Sequence, residues 1–426
     1  MLLTRKRVAG LLLSTLPWAG AQAETVPTSW ALEKVVEVSR HGVRPPTEGN
    51  VRTIQAGTSR NWPTWLTNYG ELTGHGYAAA VLKGQYEGRY LRQHTLLQQR
   101  CPKPGDVFVW ASPLQRTRET AMALMDGVFP GCGVAIHGPE SEESDPLFHA
   151  ETAGVSIDQE RVKADLQKAM QGKNAAQIQA EWQPSIDRLK RAVCLPDKSC
   201  PAFSTTWEVK ESKRGTISLH GPKALANIVE TIVLAYSNNN PLSQVAFGNV
   251  RTAAEVAELM PLLTASYDFT NDLPYVARRG SSVLMNQIAL ALNPKHQADD
   301  PPDAKWLLYV AHDTNIARLR AMMGFTWQMG DYPRGNIPPA GSLVFERWRN
   351  LRSDQRFIRI YFQAQSLDQI RGLTVLDNEN PPLRSEFSME GCQKTEVGTL
   401  CPYDAVMARL NGSVDRTALL RVRYTM

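Results

Sequence analysis

Three short apolar runs end abruptly in polar residues. Val35-Val36-Glu37-Val38-Ser39 is β-branched and stops at Arg40-His41-Gly42-Val43-Arg44-Pro45-Pro46-Thr47, where glycine and paired prolines mark a loop. Val107-Phe108-Val109-Trp110-Ala111 stops at Ser112-Pro113 and leads into a helical pattern carrying Ala121, Leu124, Met125 and Val128, with Arg116 and Arg118 near its start. Trp306-Leu307-Leu308-Tyr309-Val310-Ala311 is almost wholly apolar, as for a strand covered on both faces, and breaks at His312-Asp313-Thr314-Asn315 before a helical pattern from Ile316 to Met323. Strands alternating with helices predict an α/β fold with a mostly parallel sheet flanked by helices, whose ligands bind at the carboxyl ends of the strands.

Between the second and third runs the period changes. From about Asp158 to Tyr236 the pattern is largely helical, with Leu166, Met170, Ile178, Trp182, Ile186, Leu189 and Val193 at apolar positions and a loop around Cys194 to Phe203. A further helix is expected over Ala224–Ala235, before the turn chemistry of Asn238-Asn239-Asn240-Pro241. This pattern predicts an inserted α-helical subdomain over 158–268, within a discontinuous α/β domain formed by 24–157 and 269–426. There is no internal repeat.

The first 23 residues differ from the rest: Arg5, Lys6 and Arg7 precede an apolar stretch, Val8 to Trp18, and Ala21-Gln22-Ala23 follows. That is the pattern of a signal peptide. The apolar run carries Pro17 and is shorter than the ~20 residues a spanning helix needs, so export without a membrane anchor is expected.

Composition narrows the class. Of 426 residues, 42% are hydrophobic and 21% charged, which excludes a disordered or fibrous chain, and the 29 Gly and 27 Pro follow no period. The net charge of +5 is small and dispersed, so a dedicated nucleic-acid partner is not expected. Six cysteines suit an oxidising compartment. They permit 15 pairings, of which the simplest joins sequence neighbours: Cys101 with Cys132, Cys194 with Cys200, and Cys392 with Cys401. Neither CxxC nor HExxH occurs, so zinc bound through either pattern has no support.

If the three strand ends share one crevice, two histidines, several arginines and one aspartate converge. Arginine forks and helix N-termini suit phosphate oxygens. A histidine among arginines stays neutral and nucleophilic, and Asp313 is the one carboxylate in the three motifs available to protonate a leaving oxygen.

The RHGxRxP pattern of Arg40 to Pro46 and the distant His312-Asp313 pair resemble the motifs of the histidine acid phosphatase family, in the family's order and separation. Asp145-Pro146-Leu147-Phe148, Gly335 to Pro339, Val344 to Trp348 and the close cysteine pairs are similar to those of its bacterial periplasmic phytases. The resemblance implies a phosphoglycerate-mutase-like fold, a periplasmic location and hydrolysis of myo-inositol hexakisphosphate. His41 would be the nucleophile and Asp313 the proton donor. Arg40, Arg44, Arg116 and His312 would bind the transferred phosphoryl group, and Thr47 a substrate phosphate. Arg118 is read as a surface residue. The resemblance further implies no metal or cofactor, and a monomer acting on small phosphomonoesters without nucleic-acid or membrane partners.

Glu48 stands where some family members carry a basic residue. Glu230, Arg278 and Arg279 are weaker substrate-side candidates, for which solvated helix charges are the simpler reading. A glucose-1-phosphatase or general acid phosphatase is the nearest alternative, although the known glucose-1-phosphatases carry Asn in place of the motif glycine, here Gly42. A non-catalytic binder of phosphorylated ligands would need neither His41 nor Asp313. The other histidines, His75, His94, His137, His149, His220 and His296, show no metal-ligand spacing and are expected to be ordinary surface or packed residues. Trp62, Trp65 and Trp327 fit core packing better than a sugar platform.

Overall fold

The computed structural model describes residues 29–212, 216–298 and 300–424; the expected signal segment lies outside them. Ten strands occur among the described residues: β1 (Trp30–Arg40), β2 (Val107–Ala111), β3 (Glu208–Glu211), β4 (Ile217–His220), β5 (Trp306–Ala311), β6 (Ser342–Asn350), β7 (Arg356–Ala364), β8 (Leu383–Glu386), β9 (Gln393–Thr395) and β10 (Gly398–Pro402).

Eight of them form one sheet in the order β2-β5-β1-β6-β7-β10-β9, with β8 on β7. Both β1 and β2 pair with β5 in parallel, so Arg40 lies opposite Ala311 and Ala111 opposite Val310. The three motif-bearing strand ends therefore leave the sheet at one edge, as the α/β reading requires. Beyond β1 the pairings are antiparallel, from β1 with β6 through to β10 with β9. The sheet is thus mixed: five of its eight strands run in the direction of β1, and its parallel pairings lie on the side that carries the motifs.

Alternation along the central strands feeds two cores. Val36, Val38, Leu307, Tyr309 and Phe345 face one way, onto helices Pro274–Leu292, Asp313–Met323 and Tyr403–Ser413. Val35, Trp306, Leu308 and Val310 face the other, onto helices Gly74–Gln93 and Gln115–Val128. Those two helices touch backbone to backbone at Gly84, where a Cβ would collide with the Leu124 carbonyl. This contact holds the helix bearing Arg116 against its neighbour Gly74–Gln93.

A third apolar cluster joins helices Gln159–Ala169, Ala175–Val193, Pro222–Ser237 and Pro261–Asp268, and draws in Ile54 and Trp62 from the first segment. The region expected to be largely helical also contains the β3–β4 hairpin. Every residue of β3 is exposed, so it has no apolar alternation by which to be recognised. Trp62 is buried in this helical cluster and Trp327 stacks on Phe362 in the core. The disulfides are Cys101–Cys132, Cys194–Cys200 and Cys392–Cys401, the local pairing.

Candidate active site

His41 is the first residue past β1, and the backbone clamps it from two sides. Its N–H donates to Ala311 O at 3.0 Å, and its carbonyl accepts from Ala340 N at 3.0 Å. The ring is buried, and Nδ1 lies 2.9 Å from Gly42 O. A carbonyl only accepts, so Nδ1 carries the proton and Nε2 keeps its lone pair. Burial, then Arg44, Arg40 and Arg116, push the His41 pKa well below the ordinary histidine range. The imidazole stays neutral in mild acid, as a nucleophile requires.

A cavity of about 310 Å³ opens over this ring, lined by His41, Arg44, Arg116, His149, His312, Asp313 and Arg318 among others. Burial, reinforced by neighbouring cations, lowers the Arg44 pKa to about 10 and also lowers that of Arg116. Arg40 turns toward an adjoining cavity of about 340 Å³, which Glu230, Asn227, Lys223 and Tyr267 also line. Burial opposes the Arg40 charge, but Glu230 and Asp313 outweigh it and its pKa rises. The Nε groups of Arg40, Arg44 and Arg116 are buried without a hydrogen-bond partner among the described residues. Unfilled donors on clustered guanidiniums are the signature of a site waiting for an anion.

His312 caps the helix Asp313–Met323, and its N–H donates to Asn315 Oδ1 at 3.1 Å. Its Nε2 lies 3.0 Å from Ser112 Oγ. Burial and Arg116 hold its pKa well below the usual range. Asp313 accepts from the Tyr267 hydroxyl at 2.5 Å. Burial favours its neutral form, but Arg40, the Tyr267 bond and Arg44 prevail and lower its pKa. The resting carboxyl is therefore ionised, and a proton on it awaits an anion that offsets the arginines.

The other candidates fall in different places. Thr47 is the half-buried N-cap of helix Glu48–Thr58, accepting from Asn50 N, and is outside the linings of both cavities. Glu48 is exposed and paired with Arg52. Glu230 forms an ion pair with Arg40, so it is a buried-side partner of the site rather than a solvated helix charge. Arg279 lies outside the linings of both cavities: it is buried, and Ser156 O, Asp415 and Thr417 take up its guanidinium, pinning the C-terminal segment.

His149 departs most from expectation. It lines the cavity, its ring meets that of His312 edge-on at 5.1 Å, and its Nε2 is 3.5 Å from Ser112 Oγ. Its place directly after Asp145–Phe148 was the available signal. Arg318 falls one helical turn after Thr314 on the same cavity face, a spacing readable from the sequence, whereas nothing in the sequence linked Tyr267 to Asp313. No group of three or more His, Cys, Asp or Glu among the described residues could hold a metal ion.

Residues 31–363 match the histidine phosphatase superfamily (branch 2). Among curated proteins, the chain is 30% identical to the phytase AppA of Escherichia coli K12, over 87% of this chain and 89% of the relative. It is 29% identical to the glucose-1-phosphatase of Salmonella typhimurium, over 93% and 95%. Among solved structures, the Klebsiella sp. ASR1 phytase superposes with a TM-score of 0.88 at 48% identity, covering 92% of this chain and 98% of that one. The Hafnia alvei phytase in complex with myo-inositol hexakis sulphate gives 0.82 at 30%, covering 93% and 100%. A histidine held neutral beneath unfilled arginines, with an aspartate beside it, is thus found in a chain that belongs to the histidine phosphatase superfamily, branch 2.

Proposed function

We propose that this protein is an exported phytase, a phosphoric monoester hydrolase that removes phosphate from myo-inositol hexakisphosphate through a phosphohistidine. The observation that carries the reading is the His41 ring, its Nδ1–H tied to Gly42 O and its pKa depressed by burial and by Arg44, Arg40 and Arg116. Nε2 of His41 attacks phosphorus, and the bond from phosphorus to the alcohol oxygen breaks. Arg44, Arg116 and His312 hold the phosphoryl oxygens as charge shifts onto them. A phosphate settling among the arginines weakens the field that keeps Asp313 ionised, so Asp313 takes up a proton and delivers it to the leaving oxygen. In the second step Asp313 accepts a proton from water, water attacks phosphorus, and the P–N bond breaks to release phosphate and restore His41.

Phytate, rather than a sugar phosphate, is supported by the adjoining cavity with its Lys223 and Arg40, and by the 48% identity to the Klebsiella phytase. Gly42 adds to this: a Cβ there would lie 2.8 Å from Leu72 Cδ1 and 3.3 Å from Gly76 O, so a side chain would have to displace Leu72. Three disulfides support an oxidising, periplasmic destination. The separate helical cluster supports the division into a discontinuous α/β domain and an insertion over 158–268.

The test is kcat/KM of the purified protein on phytate, glucose 1-phosphate and p-nitrophenyl phosphate at mildly acidic pH. Phytate is expected to be preferred and to lose affinity most steeply as salt is added, because it engages several cations at once. A higher kcat/KM on glucose 1-phosphate, with the same salt response for both, would overturn the phytase reading.

A further inference from the structure

Arg318 stands where two spaces meet. It lines the cavity over His41 and also a groove of about 540 Å³ that runs on past Glu151, Gln159, Lys223 and Asn271. Its position is built in from the neighbouring helix: a Cβ on Gly280 would fall inside the Arg318 guanidinium, so only glycine there lets the group lie where it does. Nη2 pairs with Glu151 Oε1 at 2.6 Å, and the two side chains are 14% and 40% exposed. Arg318 Nε is buried with no hydrogen-bond partner among the described residues.

This is a guanidinium only partly satisfied, and its one counter-ion among the described residues is open to water. An ion pair with an exposed partner is weak and exchangeable. A phosphate group offers more charge and more acceptor oxygens than one carboxylate, in the geometry a guanidinium fork matches. The phosphoryl group under attack already has Arg44, Arg116 and His312 around it.

We propose that Arg318 receives a second, non-reacting phosphate of the substrate, releasing Glu151 to solvent as it does so, and that this exchange selects polyphosphorylated substrates over monoesters. The proposal rests on the phosphatase reading and deepens it. Glu151 then acts as a built-in competitor, filling the site when no second phosphate is present.

The test compares Arg318→Ala, Arg318→Lys and Glu151→Gln by kcat/KM on myo-inositol hexakisphosphate and on p-nitrophenyl phosphate, at fixed pH and ionic strength, with the Tm of each variant. The hexakisphosphate-to-nitrophenyl ratio should fall about tenfold in Arg318→Ala, the loss of one charge-assisted contact. Arg318→Lys should recover part of it. Glu151→Gln should raise the ratio, because the competitor is gone. A merely structural ion pair predicts a different outcome: both removals lower activity together and leave the ratio unchanged. That result, or an unchanged ratio in Arg318→Ala, overturns the proposal. Failure of the wild-type protein to hydrolyse hexakisphosphate would instead refute the function reading, and that measurement needs no variant.

Discussion

Buried arginines lie in both the parallel and the antiparallel halves of this sheet, and they are wired differently. On the antiparallel side, Arg359 in β7 donates through Nε to Glu386 at 2.8 Å and through Nη1 to the Tyr90 hydroxyl at 2.9 Å, and its Nη2 also meets Glu386. Glu346, fully buried beside it, accepts from Tyr361 and from Trp348, each at 2.8 Å. At the parallel edge, Arg44 and Arg116 crowd around His41 with their Nε groups unfilled. Burial lowers the pKa of an arginine in both places, yet the outcome has opposite signs: Glu346 and its neighbours more than compensate at Arg359, whereas Glu230 and Asp313 do not offset burial and the neighbouring arginines at Arg44, which drops to about 10. A buried cation matched by its own carboxylates is part of the scaffold. One left unmatched marks the place a ligand completes.

The comparison can be broken most forcefully at His41. His41→Ala should abolish turnover, by more than about 10⁴-fold, because the nucleophile of a concerted set is gone. Its thermal stability should hold, since the ring sits under an open polar cavity. Next is Asp313→Asn, expected to lower kcat on phytate by ~10²–10⁴-fold and to do less harm with p-nitrophenyl phosphate, whose leaving group needs no proton. Near-wild-type rates on phytate in both variants would mean the site has been misassigned.

A matched pair of substitutions tests the wiring itself. Arg359→Met should destabilise the protein by about 3–5 kcal/mol, since it leaves Glu346 buried and unpaired. The folded fraction should keep its kcat. Arg44→Met should do the opposite: stability is held or raised as one of several crowded cations is removed, and kcat/KM falls by about 10²–10³-fold with the loss of a donor to the charged transition state. Urea unfolding and steady-state kinetics on the same preparations would check both, and equal stability losses would erase the distinction.

The two halves were also unequally legible. The parallel edge could be read from sequence because chemistry there is concentrated at strand ends: Arg40 to Pro46 after one run and His312-Asp313 after another. The antiparallel half carries no such punctuation. Phe345, Glu346, Arg347 and Trp348 drew notice by resemblance alone, and the pairing of β6 with β7 is a long-range fact that no local period encodes. Within the site, contacts made by residues inside motifs were accessible, and those made across the fold were not. His149 looked ordinary because its partners, Ser112 and His312, are 37 and 163 residues away in the chain. Arg279 looked available because its neighbour Asp415 comes from the far C-terminus.

The smallest expected effect concerns Asp145, beneath His149. It is fully buried, and its Oδ1 accepts from Phe148 N at 3.1 Å while Oδ2 has no hydrogen-bond partner among the described residues. Burial raises its pKa to about 7 against the backbone hydrogen bonds, and Glu142 adds to the rise. His149 Nε2 is 3.8 Å from Asp145 Oδ2, but burial lowers the histidine's pKa, so the contact joins two groups that both favour neutrality. The sign follows from linkage. In the unfolded chain the carboxyl ionises near ~3.9, whereas in the folded protein it keeps its proton until about 7, so stability falls as pH rises between those values and stays lowered above them. Asp145→Asn keeps an acceptor for Phe148 N and removes the titration. Its Tm should exceed the wild-type value at pH 8, and the gap should close as pH falls toward 4. His149, half-buried and with its pKa lowered by burial, loses stability in the opposite direction, below about 6.5; it is present in both proteins and largely cancels from the difference. A gap that is constant with pH, or that widens in acid, would mean Asp145 is ionised in the folded protein and that His149 is its charged partner.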